Sequence, residues 1–426
     1  MFGDIDKSIV FSNFASDKNM RKNNFQRATI YRTVLESVNK HNKETMKAKT
    51  FVISILLAIS LSANSQSQFK LCKEFYSALP DSLTNQIVNS LDRLLLSIDN
   101  SQLDTTLVDT KDLELNRNFF FYLKGVDGKD TIPRYFQAQL INLYPVEDNQ
   151  YLLTISYQKE EEIGRIFTFL ANNREGNITF ANPLKYNTKF WKTTTIGTIT
   201  YYYPDTIDTK RAELFNQKNI QMAHKLNLPV RNWDLYMCRN YQEAIQIQGC
   251  SYEFTRNGAV NHGDIIDPKT LFSCMNDEDF SHDVLHIYAS QIRGKSQRNA
   301  NGECGLAYYW GNAYHLGSTD KSPALDELVP ALQDYLISHK DVSLLELLEE
   351  SPNILAEYGY PWPVHVNRII SGVICREIER QKGTAGIIEL LRCGRGNDNL
   401  FRITEKLIGI NRENFDTEVR KLIFAQ

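Results

Sequence analysis

The period of the hydrophobic pattern changes along this chain, and that change limits the folds open to it. Short runs rich in Ile, Leu, Phe, Tyr and Thr ("YFQAQLINLYP" at 135–145, "QYLLTISYQ" at 150–158, "RIFTFLAN" at 165–172, "NITFAN" at 177–182) are separated by turn-forming stretches such as "VEDNQ" and "NNREGN". They read as strands of a meandering antiparallel sheet. The preceding segment at 73–100 carries apolar residues every three or four positions and reads as helix. One or two helices followed by an antiparallel sheet make an α+β domain over residues 66–190.

Beyond about residue 190 strands and helices alternate. "TTTIGTITYYYPD" reads as strand, 212–228 as helix, "WDLYMCR" as strand and "YQEAIQI" as helix, with further strands around 251–257 and 263–272. After Asp277 the period is helical almost to Gln426. Ser343 with Glu346 reads as a capping box opening one of these helices, and Gly383 and Gly394 read as stops.

A leader stands in front of both domains. From Met46 the chain reads "MKAKTFVISILLAISLSANSQSQ": two lysines, an apolar run from Phe51 to Leu61, then small polar residues. This is the layout of a secretory signal peptide over 46–65, cleaved before Gln66. Residues 1–45 then read as an upstream mis-start outside the mature protein. The apolar run is shorter than the roughly 20 residues of a transmembrane helix, so no stable membrane span is expected in the mature chain, which is expected to be secreted or periplasmic. A formal net charge of −3 over 426 residues gives no reason to expect nucleic acid as a partner. Seven cysteines, scattered and without a CxxC pair, read as small buried hydrophobes.

The chemistry concentrates in "SHDVLHIYAS". His282 and His286 stand four apart in a helical context, so they share a face and can aim two imidazoles at one point, as a tetrahedral zinc requires of two ligands. A third ligand is offered by Glu303 in "NGECGLAYYWGNAY", at the start of the next helix, where Gly305 and Ala307 would let the two helices approach closely.

"HDVLH" followed by "ECGLAYY" resembles the gluzincin metallopeptidases of the peptidase MA clan, whose pattern is HExxH with a later glutamate ligand, often within EGxAxY. The resemblance covers residues 191–426. It implies a metallopeptidase-like domain with a mostly helical C-terminal lobe, Zn2+ held by His282, His286 and Glu303, and a peptide or protein substrate. It also implies that Asp283 is the general base which deprotonates a metal-bound water as that water attacks a peptide carbonyl. The departure is Asp283 itself, one methylene shorter than the family's glutamate; the reach lost is roughly 1.5 Å, against the 2.6–3.2 Å a base needs. A zinc-dependent hydrolase is therefore one expectation. A catalytically silent, peptidase-like zinc-binding or scaffold protein of the cell envelope is the other.

Nearby residues have two readings each. Tyr308, Tyr309, Tyr314 and His315 offer an oxyanion-stabilising group or simply core. His262 and His365 offer outer support for the site or ordinary turn packing. Cys304 would be a fourth, soft ligand only if it shared a face with Glu303, and adjacent helix positions diverge by about 100°. The acidic runs at 160–162 and 276–279 read as solvated faces or a helix N-terminus, and "YGYPWPVH" as a rigid loop.

Overall fold

The structure, a computed structural model, describes residues 69–100, 102–123, 136–259, 263–265, 269–275, 277–314 and 321–425. The leader from Met46, residues 1–45, His262 and His315 lie outside the described residues. The fold is α+β, as the pattern predicts. Among the described residues no helix is long and apolar enough to cross a membrane.

The chain forms two compact units, the second spanning Asn182–Gln426. This boundary falls slightly ahead of the expected one at 190. The reason is local: Asn182 Nδ2 donates to Gln248 O at 3.3 Å and Asn187 Nδ2 to Ile247 O at 3.0 Å, which ties 182–187 to the second unit.

In the first unit, β1 (Phe69–Leu71), α1 (Asp81–Asp99) and α2 (Leu113–Leu123) precede the meander β2 (Gln137–Glu147), β3 (Gln150–Lys159), β4 (Glu162–Arg174) and β5 (Asn177–Ala181). The sheet order is β1-β2-β3-β4-β5. β1 runs parallel to β2, and the remaining pairs are antiparallel. Helix α1 buries Ile87, Leu91, Leu94, Leu95 and Ile98, the three-and-four spacing read from the sequence. Phe119 and Phe120 of α2 meet Phe169 of the sheet edge-on, with ring centroids 6.5 and 5.8 Å away, the geometry aromatic quadrupoles favour.

In the second unit a hairpin, β6 (Lys192–Ile196) and β7 (Ile199–Tyr203), replaces the single strand expected there. It is followed by α3 (Thr209–Lys225), β8 (Trp233–Met237), α4 (Tyr241–Ile247), β9 (Cys250–Glu253), β10 (Gly263–Ile265) and β11 (Thr270–Ser273). Five of these strands form a sheet in the order β10-β11-β8-β7-β6. The central pairs β11/β8 and β8/β7 are parallel, and the edge strands β10 and β6 run antiparallel to their neighbours.

Helices then take over: α5 (Ser281–Ile292), α6 (Ala300–Trp310), α7 (Leu325–Ser338), α8 (Leu344–Glu350), α9 (Val366–Leu391), α10 (Asn397–Ile408) and α11 (Phe415–Phe424). Ser343 Oγ accepts the Glu346 amide at the start of α8, the N-cap half of the expected capping box. Gly383 interrupts α9 with a φ of 61°, and Gly394 follows its end. One core runs from Trp233 and Phe215 through Val284, Leu285 and Tyr288 of α5 to Ile369, Ile370 and Val373 of α9.

Candidate functional site

Helix α5 owes its position to one face and its start. Phe280, Val284, Leu285, Tyr288 and Ala289 recur at helical spacing and are fully buried, which turns His282 and His286 toward α6. No side chain caps the helix at Phe280; the acidic residues just before it serve instead. Asp279 Oδ1 accepts the Ser281 amide at 3.2 Å, and Asp277 Oδ1 accepts the Asp279 amide at 3.0 Å.

These acids are buried, contrary to the solvated reading; Asp279 is 0% exposed. Each has a cation: Arg211 grips Asp277 with two bonds of 2.8 and 2.9 Å from Nη2 and a third of 3.1 Å from Nε, Lys218 reaches Asp279 at 2.6 Å, and Lys321 reaches Glu278 at 2.9 Å. Buried carboxylates are tolerable only when so compensated. The run at 160–162 is exposed, as expected.

The same anchor orients His282. Asn312 Nδ2 donates to Asp279 O at 2.7 Å, and His282 Nδ1 donates to Asn312 O at 2.8 Å. A carbonyl can only accept, so Nδ1 carries the proton, and in the neutral ring the lone pair sits on Nε2. A backbone acceptor of this kind is what a metal-bound imidazole ordinarily has behind it. The His286 ring centroid lies 5.0 Å away.

Glu303 enters in the first turn of α6, whose N-cap Asn299 accepts the Gly302 amide. It is 1% exposed. His286 Nδ1 donates to Glu303 Oε1 at 2.7 Å, Arg293 donates to the same oxygen through Nη2 at 2.7 Å, and Arg293 Nε donates to Oε2. Arg298 Nε adds an ion pair at 3.5 Å from Oε1. Burial disfavours both charges, yet the Cys304 and Glu303 contacts raise His286 to about 10, while His286 and Arg293 lower Glu303 to about 2. The Cys304 thiol, expected to diverge from Glu303's face, nonetheless lies near enough to His286 for the two groups to shift each other's ionisation. Burial opposes its ionisation, but His286 and Arg368 outweigh that and lower its pKa.

Asp283 faces Tyr314. Burial and then the Asp283 charge push the Tyr314 hydroxyl well above its ordinary value, and the Tyr314 ring lies 4.4 Å from His282. Tyr308 is buried, 5.6 Å from His282, and its hydroxyl accepts the His365 amide at 3.2 Å. Tyr309 belongs elsewhere, with the guanidinium of Arg376 5.5 Å from its ring. Of the tyrosines weighed from the sequence, Tyr314 therefore touches both Asp283 and His282. Arg368, from the first turn of α9, sits among Cys304, Tyr308 and Tyr314.

The structure thus sets His286 against Glu303 and the His282 ring beside that of His286, and turns Asp283 to Tyr314. It adds Arg293, Arg298 and Arg368, which the reading passed over, and gives Cys304 a contact with His286. Arg293 and Arg298 lie within the spacer between His286 and Glu303, and two arginines just ahead of a candidate acidic ligand were the available signal.

The donors can be tested against zinc. A shared zinc needs a Glu303 lone pair directed at the point where the two histidines converge. Both Glu303 oxygens are instead committed to cationic donors. His282 fits, with its Nε2 lone pair available; His286 and Glu303, paired to each other, do not. Among the described residues no group of three or more His, Cys, Asp and Glu side chains is arranged to hold a metal ion.

Of the seven cysteines all but Cys72 are buried, consistent with packing residues. Comparison with family models and with curated proteins finds no match.

Proposed function

We propose that Asn182–Gln426 is a gluzincin-like domain whose catalytic corner has become a charge-compensated cluster. In this reading the protein is a catalytically silent, peptidase-like scaffold of the cell envelope that binds a peptide or protein partner. The observation that carries it is the engagement of Glu303 by His286, Arg293 and Arg298. The short reach of Asp283 and its place beside Tyr314 add support. The leader from Met46 supports a location outside the cytoplasm.

A second reading, a secreted zinc-dependent peptide hydrolase with Asp283 as general base, is favoured by one specific observation. The backbone carbonyl of Asn312 holds His282 in the tautomer that a metal ligand uses. Zinc, when bound, would supply an acidified water and a Lewis acid for the scissile carbonyl.

Hydrolysis of a diverse peptide library, with and without added zinc, separates the two. The silent reading expects no turnover by wild type. Zinc-dependent turnover by wild type that Asp283→Asn abolishes would replace it with the hydrolase.

A further inference from the structure

We infer that Arg293 and Arg298 stand in for a metal cation at Glu303, and that their ion pairs suppress divalent-metal binding at the His282–His286 face. The inference rests on the reading of this corner as a gluzincin-like site and goes beyond it by naming the residues that close it.

The argument begins with Glu303. A carboxylate at 1% exposure needs positive charge around it. In a metal site that charge is the metal. Here Arg293 supplies it through a two-pronged contact, one guanidinium nitrogen to each carboxylate oxygen. This fork is the strongest geometry that a carboxylate and a side chain can form. Arg298 contributes a second guanidinium at 3.5 Å. Both side chains are themselves largely buried, at 9% and 15% exposure, so their field is weakly screened by water.

The two arginines are local to the site. They lie in the connection between α5 and α6, and that connection is anchored: Gln297 O accepts the Gly394 amide, Gly294 N donates to Gln297 Oε1, and Asn299 Nδ2 donates to Gly394 O and Gly396 O. The guanidiniums are therefore held in place from the C-terminal helices.

A divalent cation entering here meets two opposing effects. It must break a bidentate ion pair to recover one carboxylate oxygen. It also approaches two guanidiniums that remain charged at every accessible pH, with Arg368 as a third cation nearby. Like charges a few ångströms apart in a partly buried site repel strongly, because little water screens them. Two histidines alone are a weak zinc site, so loss of Glu303 as a ligand leaves little to oppose that repulsion.

The test is zinc binding by the full mature chain, read by competition with a chromogenic chelator and by thermal melts with and without EDTA. Wild type should melt at the same temperature in zinc and in EDTA. The double variant Arg293→Gln/Arg298→Gln should bind zinc at least tenfold more tightly than wild type, and His282→Ala in that background should remove the gain. If the double variant fails to fold, Arg293→Lys takes its place: lysine keeps the charge but loses the fork, and a smaller gain of about threefold is expected. Wild type that binds zinc as tightly as the variants, or loses stability in EDTA, overturns the inference. So does a folded variant that binds no better than wild type. Neither failure reports on peptide turnover, which the peptide library decides separately.

Discussion

At the scale of single residues, the cluster around Glu303 has a pH signature whose sign follows from its two shifted groups. Glu303 is depressed from 4.5 to about 2, so its contribution is present above the unfolded value and is lost as pH falls from 4.5 through 2. His286 is raised from 6.5 to about 10, so its contribution is complete below 6.5 and is lost as pH rises through 10. The melting temperature should therefore fall on both sides of a plateau between about pH 5 and 6.5. Glu303→Gln removes the carboxylate but leaves Arg293 and Arg298 buried without it. Breaking such a pair costs about 3–5 kcal/mol, measurable by urea denaturation at neutral pH. In this variant the acid limb should flatten, and a limb unchanged from wild type would contradict the assignment.

At the scale of elements, the close approach made by Gly305 is to a different helix from the one expected. A Cβ on Gly305 would stand 2.4 Å from Ser371 Cβ and 2.8 Å from the Gly372 amide nitrogen, so this glycine lets α6 lie against α9. The approach to the histidine helix is made by Gly311, where a Cβ would come within 3.2 Å of the His282 amide nitrogen. Gly305→Ala should destabilise the second unit by about 1–3 kcal/mol through overpacking, seen as a lower urea midpoint with an unchanged slope. A midpoint equal to wild type would mean that the α6–α9 contact is looser than described.

At the scale of the molecule, each compact unit carries its own hydrophobic interior. The first is built on α1, α2 and the sheet β1–β5; the second runs without interruption from the five-stranded sheet to α11. A unit with its own core can fold alone. Residues Asn182–Gln426, expressed separately, should therefore melt in a single cooperative transition, checked by calorimetry. A broad transition without a cooperative heat peak would show that the second unit depends on the first.

Much of this architecture was legible in the sequence, because the signals are local. The apolar spacing of α1, the strand runs of β2–β5, the helical face shared by His282 and His286, and Glu303 in the first turn of α6 all follow from periods of two and 3.6. The sequence by itself determined most of the elements, the β6–β7 hairpin apart, and the face that His282 and His286 share. The tertiary structure decided what the chemical groups on those elements do. It buried Asp277, Glu278 and Asp279 against Arg211, Lys321 and Lys218, directed Tyr314 rather than Tyr309 at Asp283, and surrounded Glu303 with two arginines. A backbone period constrains only neighbours a few residues apart, whereas the partner of a long charged side chain is chosen by whatever the fold carries to within hydrogen-bonding distance of its tip.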